Sequence, residues 1–183
     1  MDAKVEGIAL DVTDQSTIDA AAELIEVRYG RLDVLVNNAG ISGDPFTTPS
    51  AASAGNLREV FDVNVLGVLR VTNAMLPLLR RSTAARIVNM SSGVGSLSFM
   101  TDPRHYMSML PAQAVYPASK TALNSLTVQY AKELREDGIL VNAAVPGACD
   151  TDFTRPLGMK ITRTAEDGAA IALRLATLGP DGP

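Results

Sequence analysis

Apolar residues along this chain fall into short continuous runs that alternate with longer stretches of helical spacing. Val5 to Leu10 is a short apolar-rich run ending in Asp11-Val12-Thr13-Asp14, which predicts a strand and then a turn in which Asp14 or Ser16 caps a helix. Ile18, Ala21, Ala22, Ile25 and Tyr29 recur on one helical face, and Gly30 supplies the stop. Asp33 to Val36 reads as a second buried strand. A strand, helix and strand in this order predict a right-handed crossover and a parallel sheet. Ser42 to Ala54, rich in Gly, Pro, Ser and Thr, is a loop. Leu57 to Arg80 carries one long helical pattern with Phe61, Val65, Val68, Leu69, Thr72, Met75 and Leu76 on its apolar side, and Pro77 should end or kink it. Arg86 to Met90 is a third strand, leading into Ser91-Ser92-Gly93-Val94-Gly95-Ser96. From Leu97 to Gln113 the periodicity is lost and the segment reads as a loop. Val115 to Glu136 is a second long helix, stopped by Asp137-Gly138, and Ile139 to Ala144 is a fourth strand. A lid segment follows to Arg163. Thr164 then caps a last helix to about Leu178, with Ala165, Ala169, Ala172 and Leu173 turned inward, and Gly179 to Pro183 reads as a turn.

Composition narrows this picture. The 183 residues fit one domain, and no internal repeat or linker divides them. With 46% apolar residues, 4% aromatics and no Trp, the core is filled by Ala, Val, Leu and Ile, as helices on a parallel sheet require. A net charge of −4 without any basic run gives no footprint for nucleic acid. No apolar stretch approaches the length of a bilayer span, and the N-terminus lacks a signal-peptide pattern, so the expectation is a soluble cytoplasmic protein that engages no membrane. A single cysteine, Cys149, excludes an internal disulfide and any multi-cysteine metal site, and with one histidine, His105, a zinc centre is not expected.

Candidate chemistry centres on Tyr116 and Lys120. On a helix they stand one turn apart on one face. A neighbouring ammonium stabilises phenolate and should pull the phenol's pKa towards neutrality. An isolated Tyr-x-x-x-Lys is most often two residues that merely share a face. Here, however, each strand end delivers a polar loop to the same edge of the sheet, where ligands bind in such folds. Asp11, Asn38, Ser92 and Thr151 all come from such ends. Singly each is a turn or cap residue; together they outline a ligand groove.

These residues carry a resemblance. Asp11-Val12, Asn37-Asn38-Ala39-Gly40, Asn64 within Asp62-Val63-Asn64-Val65, Ser91-Ser92, Tyr116-x-x-x-Lys120, and Pro146-Gly147 with Thr151 occur in the order and on the elements found in the short-chain dehydrogenase/reductase family, which the chain resembles from Val5 to about Leu178. The resemblance implies an α/β fold with a doubly wound, Rossmann-like parallel sheet. It implies an NAD(P)-dependent oxidoreductase that interconverts a carbonyl and an alcohol. Tyr116 would be the general acid or base, and Ser92 would bind the substrate oxygen. Lys120 would lower the Tyr116 pKa and hold the nicotinamide ribose, and Asn64 would hold a water in a proton relay through Lys120. Asp11 and Val12 would touch the adenine, Asn38, Ala39 and Gly40 the adenosine ribose and backbone, and Cys149 and Thr151 the nicotinamide end. Cys149 otherwise reads as a pocket-wall residue, since nothing cationic lies beside it in sequence.

The sequence departs from the family pattern in three places. It opens at what would be the family's third strand, so the glycine-rich turn that cradles the pyrophosphate is not recognised and the domain is expected to be incomplete at its N-terminus. It stops before the family's final strand. Ser92 and Tyr116 are also spaced more widely than usual. The usual spacing falls near His105, and neither His105 nor Tyr106 has a lysine one turn on, so Tyr116 stays the candidate and about Met100 to Leu110 forms an enlarged loop. That loop is similar to the carbonyl-reductase-like branch, which favours NADP and implies a monomer or homodimer. The alternative is a truncated or non-catalytic member with impaired cofactor binding that acts, if at all, through protein contacts.

Overall fold

The computed structural model describes residues 5–179 and 182. Three parallel strands form its frame: β1 (Val34–Asn37), β2 (Arg86–Met90) and β3 (Leu140–Ala144), side by side in that order. Val36 lies opposite Val88, and Val88 opposite Asn142. A parallel neighbour requires a crossover, and helices supply both. The first connection is a continuous helix from Ala54 to Leu79, made of α2 (Ala54–Phe61), a π-helical turn at Asp62–Gly67 and α3 (Val68–Leu79). The second ends in α5 (Tyr116–Glu133). Before β1 comes α1 (Gln15–Tyr29), and after β3 comes α6 (Ala165–Ala176).

Pleat alternation sorts these helices into two layers. Ile87 belongs to a buried cluster with Ile18 of α1, Val71, Met75 and Leu79 of α3, and Tyr130 of α5. Arg86 faces the other way, towards the end of α6, where its Nε and Nη2 donate to Leu178 O at 3.0 and 2.7 Å. Strand β2 is therefore buried on both sides, with Arg86 and Asn89 buried alongside Ile87 and Val88. This is the doubly wound, Rossmann-like arrangement.

Local signals set most boundaries. The Asp14 carboxylate accepts from Ser16 N at 2.9 Å and caps α1, and Gly30 ends it at φ +71°, a conformation that favours glycine. Thr164 and Asp167 form a capping box at the start of α6. The long helix passes through Pro77 and stops at Leu79, because a proline this near the C-terminus disturbs little of the remaining hydrogen-bond ladder.

Several expectations need correction. Val5 to Leu10 forms no strand: Val5 and Leu10 are exposed, and a cavity of about 320 Å³ lined by Ile8, Leu10, Val12, Val34 and Val36 separates this run from β1. An apolar run becomes a strand only where a neighbour lies within hydrogen-bonding distance, and this one has none among the described residues. Tyr29 lies exposed, with its hydroxyl on Glu6. On α6 the inward face is Gly168, Ile171, Ala172 and Leu175, while Ala165, Ala169 and Leu173 point out. The phase is set by Gly168, where a Cβ would lie 2.6 Å from Cys149 Sγ. The segment after β2 is not featureless: it holds α4 (Leu97–Thr101) and a 3-10 turn at Tyr106–Met109. The 26-residue helix Ala54–Leu79 is long and apolar enough by length and composition to cross a membrane, contrary to the sequence expectation, but half of its most apolar stretch is buried in the domain. The closing turn expected at Gly179 to Pro183 lies largely outside the described residues.

Candidate active site

The site is built where β2 and the start of α5 meet. Beyond β2 the chain makes a tight turn at Gly93–Gly95 and presses it against α5. A Cβ at Gly95 would lie 2.8 Å from the Lys120 carbonyl carbon, so only glycine permits this approach. Asn124 Nδ2 and Thr121 Oγ1 both donate to Gly95 O at 3.1 Å, and Ser91 Oγ donates to Asn124 Oδ1 at 2.6 Å. The turn that carries Ser92 is thereby fixed to the helix that carries Tyr116 and Lys120.

Burial governs the electrostatics. Lys120 is 5% exposed, and its Nζ donates to Met90 O at 2.7 Å with no carboxylate paired to it among the described residues. Loss of hydration pulls its pKa down to about 8. Burial also pushes the Tyr116 phenol above its ordinary value, and the nearby Ser92 hydroxyl brings it part of the way back. The Tyr116 pKa thus lies above its ordinary value because of its own burial, and Lys120 is not among the groups that shift it. The ammonium sits 5.6 Å from the centre of the Tyr116 ring and spends its short hydrogen bond on Met90.

Asn64 lies in the π-helical turn and clamps the loop after β1. Its Oδ1 accepts from Ile41 N at 2.9 Å, and its Nδ2 donates to Ile41 O at 2.8 Å and to Ser119 Oγ at 3.0 Å. A Cβ on Gly40 would stand 3.3 Å from Asn64 Oδ1 and 3.6 Å from Lys120 Nζ, so this glycine lies between the two. Asn64 thus holds the loop and Ser119, and Ser119 Oγ in turn donates to Tyr116 O at 2.8 Å. Ser92, Tyr116, Lys120, Asn64 and Gly40 come together at one sheet edge.

The other candidates are spread along the same edge. Asn38 and Ala39 are exposed and, with Val12, line the cavity beside β1. The Asp11 carboxylate is turned back on its own loop, accepting from Thr13 N at 2.8 Å and Thr13 Oγ1 at 2.7 Å, bonds that hold its pKa below the usual carboxylate value. Cys149 is buried against Gly168 and faces the root of α6. Thr151 is half-buried beside it, its Oγ1 3.5 Å from Cys149 O. Among the described residues no group of three or more His, Cys, Asp or Glu side chains could hold a metal.

Residues 1–161 match the short chain dehydrogenase family. The chain belongs to that family. It is similar to the short-chain dehydrogenase anuI of Penicillium roqueforti, 39% identical over 94% of this chain and 68% of the relative, and to the 3-oxoacyl-[acyl-carrier-protein] reductase FabG of Thermotoga maritima, 36% identical over 88% of this chain and 61% of the relative. Among solved structures, NADPH-bound carbonyl reductase from chicken fatty liver superposes with a TM-score of 0.79 at 30% identity, covering 94% of this chain and 70% of that one. A short-chain dehydrogenase from Streptomyces avermitilis gives a TM-score of 0.76 at 33% identity over 97% and 68% of the two chains. The chain thus spans roughly two thirds of the length of the proteins it matches. Members of this family are NAD(P)-dependent oxidoreductases.

Sequence reading of this short-chain dehydrogenase missed a second polar network beneath the site. Asn37 Nδ2 donates to Thr72 Oγ1 at 3.1 Å and to Asn89 Oδ1 at 2.8 Å, and Asn89 Nδ2 donates to Thr127 Oγ1 at 2.9 Å. Two amides facing each other across β1 and β2 thus tie both long helices to the sheet. An asparagine inside each apolar strand run was the available signal. Phe153 was also missed; its ring lies 5.4 Å from that of Tyr116.

Proposed function

We propose that this chain carries the catalytic centre of a nicotinamide-dependent oxidoreductase that interconverts a small-molecule carbonyl and its alcohol. The observation that carries the reading is the half-buried Tyr116 at the start of α5, with Lys120 one turn behind it, packed against the turn after β2 that follows Ser92. Ser92 donates a hydrogen bond to the substrate oxygen, and Tyr116 gives that oxygen a proton in reduction or takes one in oxidation. Lys120 suits a nicotinamide ribose: it is a buried ammonium with one short bond to Met90 O and no carboxylate, so its remaining hydrogens call for oxygen acceptors. When bound, the nicotinamide supplies or receives the hydride. Asn64, by clamping Ile41 and Ser119, keeps the loop after β1 and the helix of Tyr116 in fixed relation, and a proton relay from Lys120 past Gly40 is the role we assign to this corner. NADP is the preferred form by resemblance to the carbonyl-reductase branch. The reading carries with it a cytoplasmic protein, monomeric or homodimeric.

The test is turnover of ketones with reduced cofactor. Tyr116→Phe should lower the rate by about 10²-fold or more, the typical share of a positioned acid, while leaving the circular dichroism spectrum unchanged. Undiminished turnover in that variant rejects the assignment. One observation favours a second reading, a domain with impaired cofactor binding. Val12, Asn38 and Ala39 line an open cavity beside β1, where a cofactor's adenosine half would need firm walls. Fluorescence titration with NADPH separates the two, since absence of saturable binding favours the second.

A further inference from the structure

Two loops frame the approach to Ser92 and Tyr116, and both present apolar side chains. The loop after β2 lays Met107 over Gly93. A Cβ on Gly93 would meet Met107 Cε at 2.0 Å and Sδ at 2.7 Å, with Val145 Cγ1 at 4.0 Å. The thioether thus fills the space a side chain would take at the residue next to Ser92. Met107 is held there from behind: its backbone N donates to His105 Nδ1 at 3.3 Å, and the His105 ring stacks on Phe99 at 4.3 Å and an angle of 4° and on Tyr106 at 5.0 Å. On the other side, the loop after β3 sets Phe153 against Tyr116 at an angle of 55°.

Three of the cations on these loops already have partners. Arg104 pairs with Asp102 at 3.1 Å, Arg155 pairs with Asp150 and Asp152, and Arg163 Nη2 donates to Asp167 O at 3.2 Å. Of the loop cations, Lys160 alone has no ion pair or side-chain hydrogen bond among the described residues. A substrate carried on a phosphate-bearing thioester needs cations at the mouth, and one does not make a phosphate site. A flat apolar ring, by contrast, gains from sulfur and from a tilted aromatic face.

We propose that the site takes an uncharged ketone next to an aromatic ring, seated between Met107 and Phe153, and that these two side chains determine its specificity. The proposal rests on the reading of Ser92 and Tyr116 given above. In the reduction, the carbonyl carbon gains a hydride from the reduced nicotinamide, which is oxidised. The carbonyl oxygen gains the Tyr116 proton, and the phenolate recovers one from solvent.

The experiment uses the whole chain with ¹³C-methyl methionine, the Met107 resonance being assigned by its loss in Met107→Leu. Titration with 1-tetralone should shift that resonance saturably, whereas acetoacetyl-CoA should not. Met107→Ala and Phe153→Ala should each weaken 1-tetralone binding about tenfold, read by ligand-observed NMR, the scale expected when an apolar wall is removed. Met107→Leu should bind within about threefold of the parent and so report any misfolding of the alanine variant. If the shift and its loss occur without NADPH-dependent turnover, the substrate class stands and the catalytic reading falls. If acetoacetyl-CoA is reduced while 1-tetralone neither binds nor reacts, the catalytic reading stands and the substrate class falls. An unmoved Met107 resonance at millimolar 1-tetralone overturns the proposal.

Discussion

Raising the pH from 7 to 9 should stabilise this protein, and the gain should depend on Lys120. Burial lowers the Lys120 pKa from 10.5 to about 8 in the folded state. Below pH 8 the ammonium is protonated folded and unfolded alike, and the dehydration cost is constant. Between about 8 and 10.5 the unfolded chain binds more protons than the folded one, so stability rises with pH. Each unit of difference is worth about 1.4 kcal/mol, which puts the full effect at about 3 kcal/mol and the part gained by pH 9 at about 1 kcal/mol. For a chain of this size that is a rise in Tm of about 2 to 4 °C. Tyr116, whose pKa is raised, works in the opposite sense only above pH 10, where the unfolded phenol ionises first. Thermal melts at pH 7, 8 and 9, for the parent and for Lys120→Met, read the effect directly. A flat or falling parent profile, or a rise that survives in Lys120→Met, refutes the reasoning.

Three further outcomes follow from the packing. Gly95→Ala should be strongly destabilising, by about 1–3 kcal/mol, because its methyl meets the Lys120 backbone at 2.8–2.9 Å and α5 must move; a calorimetric Tm within 1 °C of the parent, roughly the measurement error on the scale above, contradicts this. Asn89→Ala strips Asn37 and Thr127 of a shared partner and should lower stability by about 1–3 kcal/mol, seen as a reduced urea midpoint at unchanged slope. Thr164→Ala removes half of the capping box on α6 and should cost about 1 kcal/mol without altering NADPH titration.

Helix existence was legible because caps are local. Asp14 and Gly30, and Thr164 with Asp167, need only their own neighbours in sequence to act, and the structure uses each of them. The three strands of the sheet were legible as short apolar-rich runs, but only β2 is buried along its length; the expected burial of Asp33 to Val36 is not met, since Val34 and Val36 lie exposed beside the cavity. The same rule failed at Val5 to Leu10, since pairing is a property of the neighbour as well as of the strand. It failed again in the phase of α6, where a single close contact between Gly168 and Cys149 outweighs the apolarity of Leu173.

At the site, the sequence by itself determined which residues are the candidates for chemistry. Tyr116, Lys120 and Ser92 were picked out by residue type, spacing and position after strand ends, and Asn64 by the family resemblance alone, because those features survive in a linear reading. Only the tertiary structure decided their electrical state and their company. Burial of Lys120 against Met90 O makes it a weaker base, and Tyr116's own burial holds its pKa above the ordinary value. Asn64 became a clamp on Ile41 and Ser119, and Met107 and Phe153 came to flank Ser92 and Tyr116. Hydration and through-space contact depend on what the rest of the chain brings near, which no local pattern encodes.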